Sequence, residues 1–231
     1  MNWKVCNKCF GVGKTTKKVK NKKNQLIVDF DSSSHENSIH PTYIKCKLCD
    51  GKGLVEASEP NLALIDNFPH ISIIGVGIGG VALAVACLHR GIPFTIFERD
   101  TDFNSRSQGY GLTLQQASKA MKSFGILNLP EGIVSNKHIV HNVSGEVIGE
   151  WGARKWLQLE SLKESKNNNI HIARQSLRYV LLKQINTVDT IKWNHKFLDY
   201  KIEKDHKISI RLLNNTQETY FKTDILVGAD G

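Results

Sequence analysis

The chain has 231 residues, 40% of them apolar and 23% charged, with five cysteines and a formal charge of +9. That length gives one or two domains with a sizeable core, and the composition excludes wholesale disorder, a fibrous repeat and a disulfide-stapled miniprotein. The charge is local: residues 1–53 carry 11 lysines, no arginine and 4 acids, while residues 54–231 are nearly balanced at 20 basic and 18 acidic. A basic segment suits an acidic surface or nucleic acid, but a solvated lysine-rich loop is the preferred reading, and nucleic acid is not expected as a partner.

The first residues, Met1-Asn2-Trp3-Lys4-Val5-Cys6, hold no apolar run of the secretory kind, so a reducing, cytoplasmic setting is expected. Four cysteines fall in two matching frames, Cys6-Asn7-Lys8-Cys9-Phe10-Gly11-Val12-Gly13 and Cys46-Lys47-Leu48-Cys49-Asp50-Gly51-Lys52-Gly53. Two residues between cysteines let both sulfurs meet one ion, and the glycines turn the backbone behind them with amides free to bond thiolates. Cys6, Cys9, Cys46 and Cys49 are therefore expected to hold one structural Zn2+, a closed site with no open position for catalysis. The repeat resembles the cysteine-rich zinc domain of DnaJ-type co-chaperones over roughly residues 3–55, with two repeats where that family has four. The His-Pro-Asp tripeptide of the J-domain is absent, so co-chaperone activity does not carry over. Between the knuckles, Gln25–Phe30 reads as one strand of a hairpin that brings them together. Gly13-Lys14-Thr15 mimics the end of a P-loop, but Lys8 stands where that motif needs glycine.

A linker over 56–69 leads to a second pattern. Ile71–Ile74 is a short β-rich run, Gly75-Val76-Gly77-Ile78-Gly79-Gly80 follows, Val81–Arg90 has helical spacing, and Pro93–Phe97 is the next strand. The uncharged stretch Ile71–Leu88 is broken by these glycines, so no membrane span is read. Gly75, Gly77 and Gly80 form G-x-G-x-x-G inside a βαβ unit. Gly75 makes the turn, Gly77 admits a pyrophosphate to the backbone, Gly80 permits close packing, and Gly79 lies in the same loop at the helix N-terminus. Glu98 closes the second strand, where a carboxylate accepts from ribose hydroxyls and repels a 2′-phosphate. FAD and NAD both use this fingerprint. His89, at the helix end, is read as a cation suited to the dipole, and Cys87 as core. Ile139–Val143, Val147–Trp151, Ile191–Tyr200, Lys207–Leu213 and Thr219–Phe221 read as strands, with turns at Ser144-Gly145-Glu146 and Asn214-Asn215. Trp151 and Trp156 either join a substrate-side sheet or merely pack.

Three further segments carry a resemblance. Phe97-Glu98-Arg99-Asp100 leads to Arg106-Ser107-Gln108-Gly109-Tyr110-Gly111-Leu112-Thr113-Leu114 and a helix. Ile172-Ala173-Arg174-Gln175-Ser176-Leu177-Arg178-Tyr179-Val180-Leu181 contains R-x-x-L-x-x-x-L, and Asp224-Ile225-Leu226-Val227-Gly228-Ala229-Asp230-Gly231 ends the chain. In this order they resemble the p-hydroxybenzoate hydroxylase-like FAD monooxygenases, over about residues 69–231. The resemblance implies an α/β fold, a Rossmann-like FAD-binding lobe over 70–231 with a β-meander insertion; the cysteine frames place a small zinc-knuckle domain over 1–55 before it. The resemblance also implies FAD held by Gly75, Gly77, Gly79, Gly80, Glu98, Arg99, Arg106, Arg174, Asp230 and Gly231, with Arg174 on the ribityl-pyrophosphate side. Arg106 could equally be a surface residue, for Arg174 the cofactor role is the preferred reading, and for Arg178 solvent exposure is.

By the same resemblance the protein is an FAD-dependent monooxygenase that uses NAD(P)H as co-substrate and puts one O2-derived oxygen into an aromatic or similar small substrate. No catalytic side chain is assigned. The family's sequence continues past the Asp-Gly motif, so a fragment is expected, completed by a missing C-terminal half or a protein partner. The alternatives are a non-catalytic zinc- and dinucleotide-binding interaction module, and an FAD- or NAD-linked oxidoreductase without oxygen insertion.

Overall fold

The computed structural model describes residues 2–16, 42–59, 61–105, 109–115, 117–135, 137–152, 169–185 and 190–231. The expected hairpin strand Gln25–Phe30, together with Arg106 and Trp156, lies outside them.

The N-terminal module is built from four short strands. β1 (Asn2–Val5) pairs antiparallel with β4 (Leu54–Ala57), and β2 (Lys14–Thr16) pairs antiparallel with β3 (Tyr43–Lys45). Each pair joins the flanks of the two knuckles, which therefore meet back to back. The glycines make this approach possible. A Cβ on Gly13 would lie 2.4 Å from the Gly51 oxygen, and one on Gly53 would lie 2.3 Å from the Gly11 oxygen. Each knuckle thus rests its last glycine on the backbone of the other, which no L side chain would allow.

The larger lobe centres on a parallel sheet of order β12-β6-β5-β16: Ile191–Lys192, Phe94–Phe97, Ile71–Ile74 and Ile225–Gly228. Between β5 and β6 runs α1 (Ile78–Leu88), nearly all apolar, with Val81, Ala84, Val85 and Cys87 buried. Gly91, at φ +67°, stops the chain after it. All four residues of β6 are buried, as expected of a parallel strand covered on both faces. One cover is α1 with α3 (Arg174–Leu182), sharing a core that includes Ile73, Ile96, Leu177 and Leu181. The other is an antiparallel meander, β13 (His195–Ile202), β14 (Ile208–Asn214) and β15 (Gln217–Thr223), whose Ile210 and Leu212 pack on Ile74 and Phe97. A smaller sheet of order β7-β11-β8 (Gly111–Leu114, Ile170–Ala173, Ile133–Val134) flanks the helices, with α2 (Ala117–Ser123) between β7 and β8. A hairpin of β9 (Lys137–His141) and β10 (Val147–Gly152) projects beyond it, its turn built on Asn142 Oδ1 accepting from the Ser144 and Glu146 amides.

The strands and turns fall within about two residues of where the alternation placed them, Ile139–Val143 being Lys137–His141 with Asn142 and Val143 in the turn, and there is one larger difference. Ile191–Tyr200 is two strands: the chain leaves the parallel sheet at Trp193-Asn194, where Asn194 takes φ +59°, and re-enters as β13 of the meander. Residues 56–69 also differ from a free linker. They begin inside β4, the Leu64 amide bonds the Gly91 oxygen at 2.8 Å, and Asn61 Nδ2 bonds the oxygens of Trp3 at 2.9 Å and Leu88 at 3.2 Å.

These contacts seat the module on the C-terminal end of α1. The Val5 amide donates to the His89 oxygen at 3.2 Å, and Trp3, 5% exposed, lies where a Cβ on Gly125 would be. His89 is consequently buried, with burial and then Arg90 pushing its pKa down to about 4. It is neutral rather than the dipole-capping cation expected, because the module covers the helix end. Among the described residues, no helix is long and apolar enough to cross a membrane.

Candidate functional site

At the opposite end of α1, the carboxyl ends of β5 and β6 open on a cavity of about 370 Å3. This is where an open parallel sheet places its ligands. Gly75 takes φ +106°, and a Cβ there would strike the Ala229 oxygen at 2.8 Å, so the turn requires glycine and abuts the Asp-Gly segment. A Cβ on Gly80 would sit 2.0 Å from the Gly75 oxygen, so its bare backbone lets the helix close on the turn. Gly77 and Gly79 differ. They line the cavity, and a Cβ on Gly77 would meet nothing nearer than 3.6 Å, while one on Gly79 would meet nothing within 4 Å. The space in front of these two is open to a ligand.

Glu98 is half-buried on the cavity wall. Its Oε2 accepts from the Val76 amide at 2.7 Å and its Oε1 from the Asp100 amide at 3.1 Å. Two backbone donors fix the carboxylate and leave lone pairs for further donors. Exposed Arg99, half-buried Arg174, and Asp230 and Gly231 also line the cavity. Arg174 is tied to Tyr110: its amide donates to the Tyr110 oxygen at 3.1 Å, its guanidinium bonds the phenol, and its Cζ lies 5.3 Å from the ring centroid.

The lining also includes His195, Lys196 and Arg178, to which the sequence alone assigns no site role. His195 and Lys196 come from the start of β13. Their place depends on the switch at Trp193-Asn194, where the Asn194 amide bonds the Asp100 oxygen at 2.8 Å and the His195 amide bonds the Glu98 oxygen at 2.7 Å. The third is Arg178, expected in solvent but 5% exposed, its Nε donating to the Val76 oxygen at 2.7 Å. The arginine lies on the α3 face that carries Leu177 and Leu181, so helical spacing alone could have placed it inward.

In the module, one sulfur from each of Cys6, Cys9, Cys46 and Cys49 lies within 4.8 Å of every other, and all four residues are buried. Cys6 and Cys46 sulfurs are 3.9 Å apart, and Cys9 and Cys49 sulfurs 3.6 Å. Tetrahedral ligands about 2.3 Å from zinc stand about 3.8 Å apart. The Gly13 amide donates to Cys9 Sγ at 3.3 Å and the Gly53 amide to Cys49 Sγ at 3.2 Å, which suits thiolates. The backbone amide of Cys49 brings the Cys46 thiol down to about 7, while burial pushes Cys9 up to about 11. The donor set fits a thiolate-bound metal.

A helix-backed parallel sheet, a glycine turn and a returning meander together make a mixed α/β fold, which is shared with solved structures of FAD-binding monooxygenases. No protein-family model matches the chain. It is 28% identical over 170 residues to a probable FAD-dependent monooxygenase of Arthroderma benhamiae, covering 71% of this chain and 36% of that protein. The solved structure of a putative FAD-containing monooxygenase from Photorhabdus luminescens superposes with a TM-score of 0.53 at 25% identity, over 71% of this chain and 39% of that one. A point variant of Klebsiella pneumoniae HpxO complexed with FAD superposes with a TM-score of 0.54 at 18% identity, over 71% of this chain and 40% of that one. The chain thus spans little more than a third of the length of these proteins.

Proposed function

We propose that the α/β lobe binds FAD and is the flavin-binding part of a monooxygenase acting on a small aromatic or similar molecule with NAD(P)H and O2. The observation that carries this is the open backbone at Gly77 and Gly79 facing the same cavity as the fixed Glu98 carboxylate. Amides at the α1 N-terminus would hold the pyrophosphate, helped by the helix dipole. Glu98 would accept from the adenosine ribose hydroxyls, and its charge disfavours a 2′-phosphate there. Arg99 and Arg174 would add positive charge, and Asp230 and Gly231 would close the wall beside Gly75. Arg106 belongs to the same set by resemblance. When bound, FAD supplies the electron and oxygen chemistry, and this chain orients it.

For the module we propose one structural zinc in a DnaJ-type double knuckle, because four buried sulfurs stand at tetrahedral spacing and two receive amide hydrogen bonds. On the order of 10 kcal/mol of folding energy would come from the metal.

The test is a titration of the purified chain with FAD, following quenching of flavin fluorescence, with NAD as competitor. Saturable binding that excess NAD does not displace is expected. Replacing Glu98→Arg removes the acceptor and is expected to weaken FAD by about tenfold or more, on the scale of charged hydrogen bonds. Binding left intact in Glu98→Arg would count against this pose.

A further inference from the structure

Among the described residues of the lobe, Arg178 is the most deeply buried of the arginines, lysines and carboxylates, and it holds one peptide of the glycine turn. Its Nε donates to the Val76 oxygen at 2.7 Å, and its Nη1 reaches Gln175 Oε1 at 3.4 Å and the Phe103 oxygen at 3.5 Å. Its Cζ lies 4.8 Å from the Phe103 ring centroid and 5.9 Å from that of Trp193. Gln175 Nε2 also bonds the Phe103 oxygen at 3.0 Å. On the other side of the same residue, the Val76 amide donates to Glu98. Val76, fully buried, is therefore clasped at its N–H by a carboxylate and at its C=O by a guanidinium.

The consequence lies in the peptide that follows. The Val76 carbonyl and the Gly77 N–H share one planar trans peptide and point in opposite directions. Fixing the carbonyl on Arg178 fixes the Gly77 N–H in the opposite sense, at a residue that lines the cavity. A peptide before glycine turns over easily, because glycine accepts both signs of φ. Gly77 sits at φ −73° and ψ 176° as the N-cap of α1, whose side-chain-free cap leaves orientation to the backbone.

We infer that Arg178 is a positioning residue for the dinucleotide phosphates: it locks the Val76–Gly77 peptide in the one orientation that presents the Gly77 N–H to an anion. This deepens the flavin reading and rests on it in one respect only, that a pyrophosphate occupies the cavity. The guanidinium suits the task because it donates to the carbonyl while its charge lies over the rings of Phe103 and Trp193. A lysine ammonium can reach a carbonyl but lacks the planar, multi-donor guanidinium that meets the carbonyl and both rings at once.

The test compares Arg178→Lys and Arg178→Met with the unaltered chain, measuring affinity for ADP, adenosine and FAD by titration, with thermal unfolding alongside. Arg178→Lys is expected to weaken ADP and FAD by about tenfold and Arg178→Met by more, because phosphate hydrogen bonds carry such factors. Adenosine, which lacks phosphate, should change by less than about twofold in both variants. A purely structural arginine would lower adenosine and ADP affinity together, and that result would overturn the inference. Unchanged ADP affinity in folded Arg178→Lys would do the same, and this variant alone decides if Arg178→Met does not fold. If the unaltered chain binds ADP but not FAD, the flavin reading fails while the phosphate selectivity still tests Arg178. No binding of ADP removes both.

Discussion

The glycines of one loop separate into two kinds. Gly80 is bare because its own fold needs the room, with the Gly75 oxygen 2.0 Å from any added methyl, while Gly79 has nothing within 4 Å. Gly80→Ala is expected to destabilise the lobe by about 2–3 kcal/mol, as overpacking does. Gly79→Ala should leave stability unchanged or raise it by about 0.5 kcal/mol, since alanine favours helix. Urea unfolding of the two variants separates these outcomes. His89 gives a second expectation. A folded pKa near 4 against an ordinary value of 6.5 means that the unfolded chain takes up the proton first. This contribution is intact above pH 6.5 and is lost as pH falls towards 4, with a slope approaching ~1.4 kcal/mol per pH unit. His89→Gln should flatten that part of the urea-midpoint profile, and an unchanged profile would assign the slope to other groups. Sequence does not disclose the burial of this imidazole, because the N-terminal module that seats on the end of α1 is far away along the chain.

Among elements, those with a local chemical reason were legible. The strand–turn–helix–strand run from Ile71 to Glu98 states its own geometry, since each glycine answers a steric demand within a few residues. The C-x-x-C-x-G-x-G frames did likewise, and the back-to-back glycines explain why both frames need two. Gly13→Ala and Gly53→Ala are both expected to weaken zinc retention, because each added methyl would collide with the opposite knuckle. Metal content after dialysis against a chelator measures this, with the unaltered chain as reference. What sequence did not disclose was the switch at Trp193-Asn194. A β-rich run gives no sign that its first two residues belong to one sheet and the rest to another, and His195 and Lys196 reach the cavity only through that exchange. Arg178 stayed hidden because a charge on a helix is ordinarily solvated. The approach of the glycine turn gives it the Val76 carbonyl to bond.

For the whole molecule, the seam between module and lobe decides how it unfolds. Trp3 lies on Gly125, Val5 bonds the residue after α1, and Asn61 bridges Trp3 to Leu88. Trp3→Ala should therefore cost about 3–5 kcal/mol, as truncating a buried aromatic does, and lower the melting temperature of the lobe itself. Stripping metal should shift the same transition. Two separate transitions in calorimetry, with only the smaller responding to chelator, would show instead that the halves melt independently.

The helix α1 has a fixed task at each end: its first residues face the cavity and its last carry the module. Its 11 residues, at about 1.5 Å apiece, separate those tasks by about 16 Å. A single inserted residue would lengthen the helix by about 1.5 Å and rotate one end against the other by about 100°. Either Gly77 or the seat for Val5 would then face the wrong way. Substitutions inside α1 can be absorbed by repacking, but a change in its length cannot, so the helix behaves as a gauge block whose size the two flanking sites hold in common.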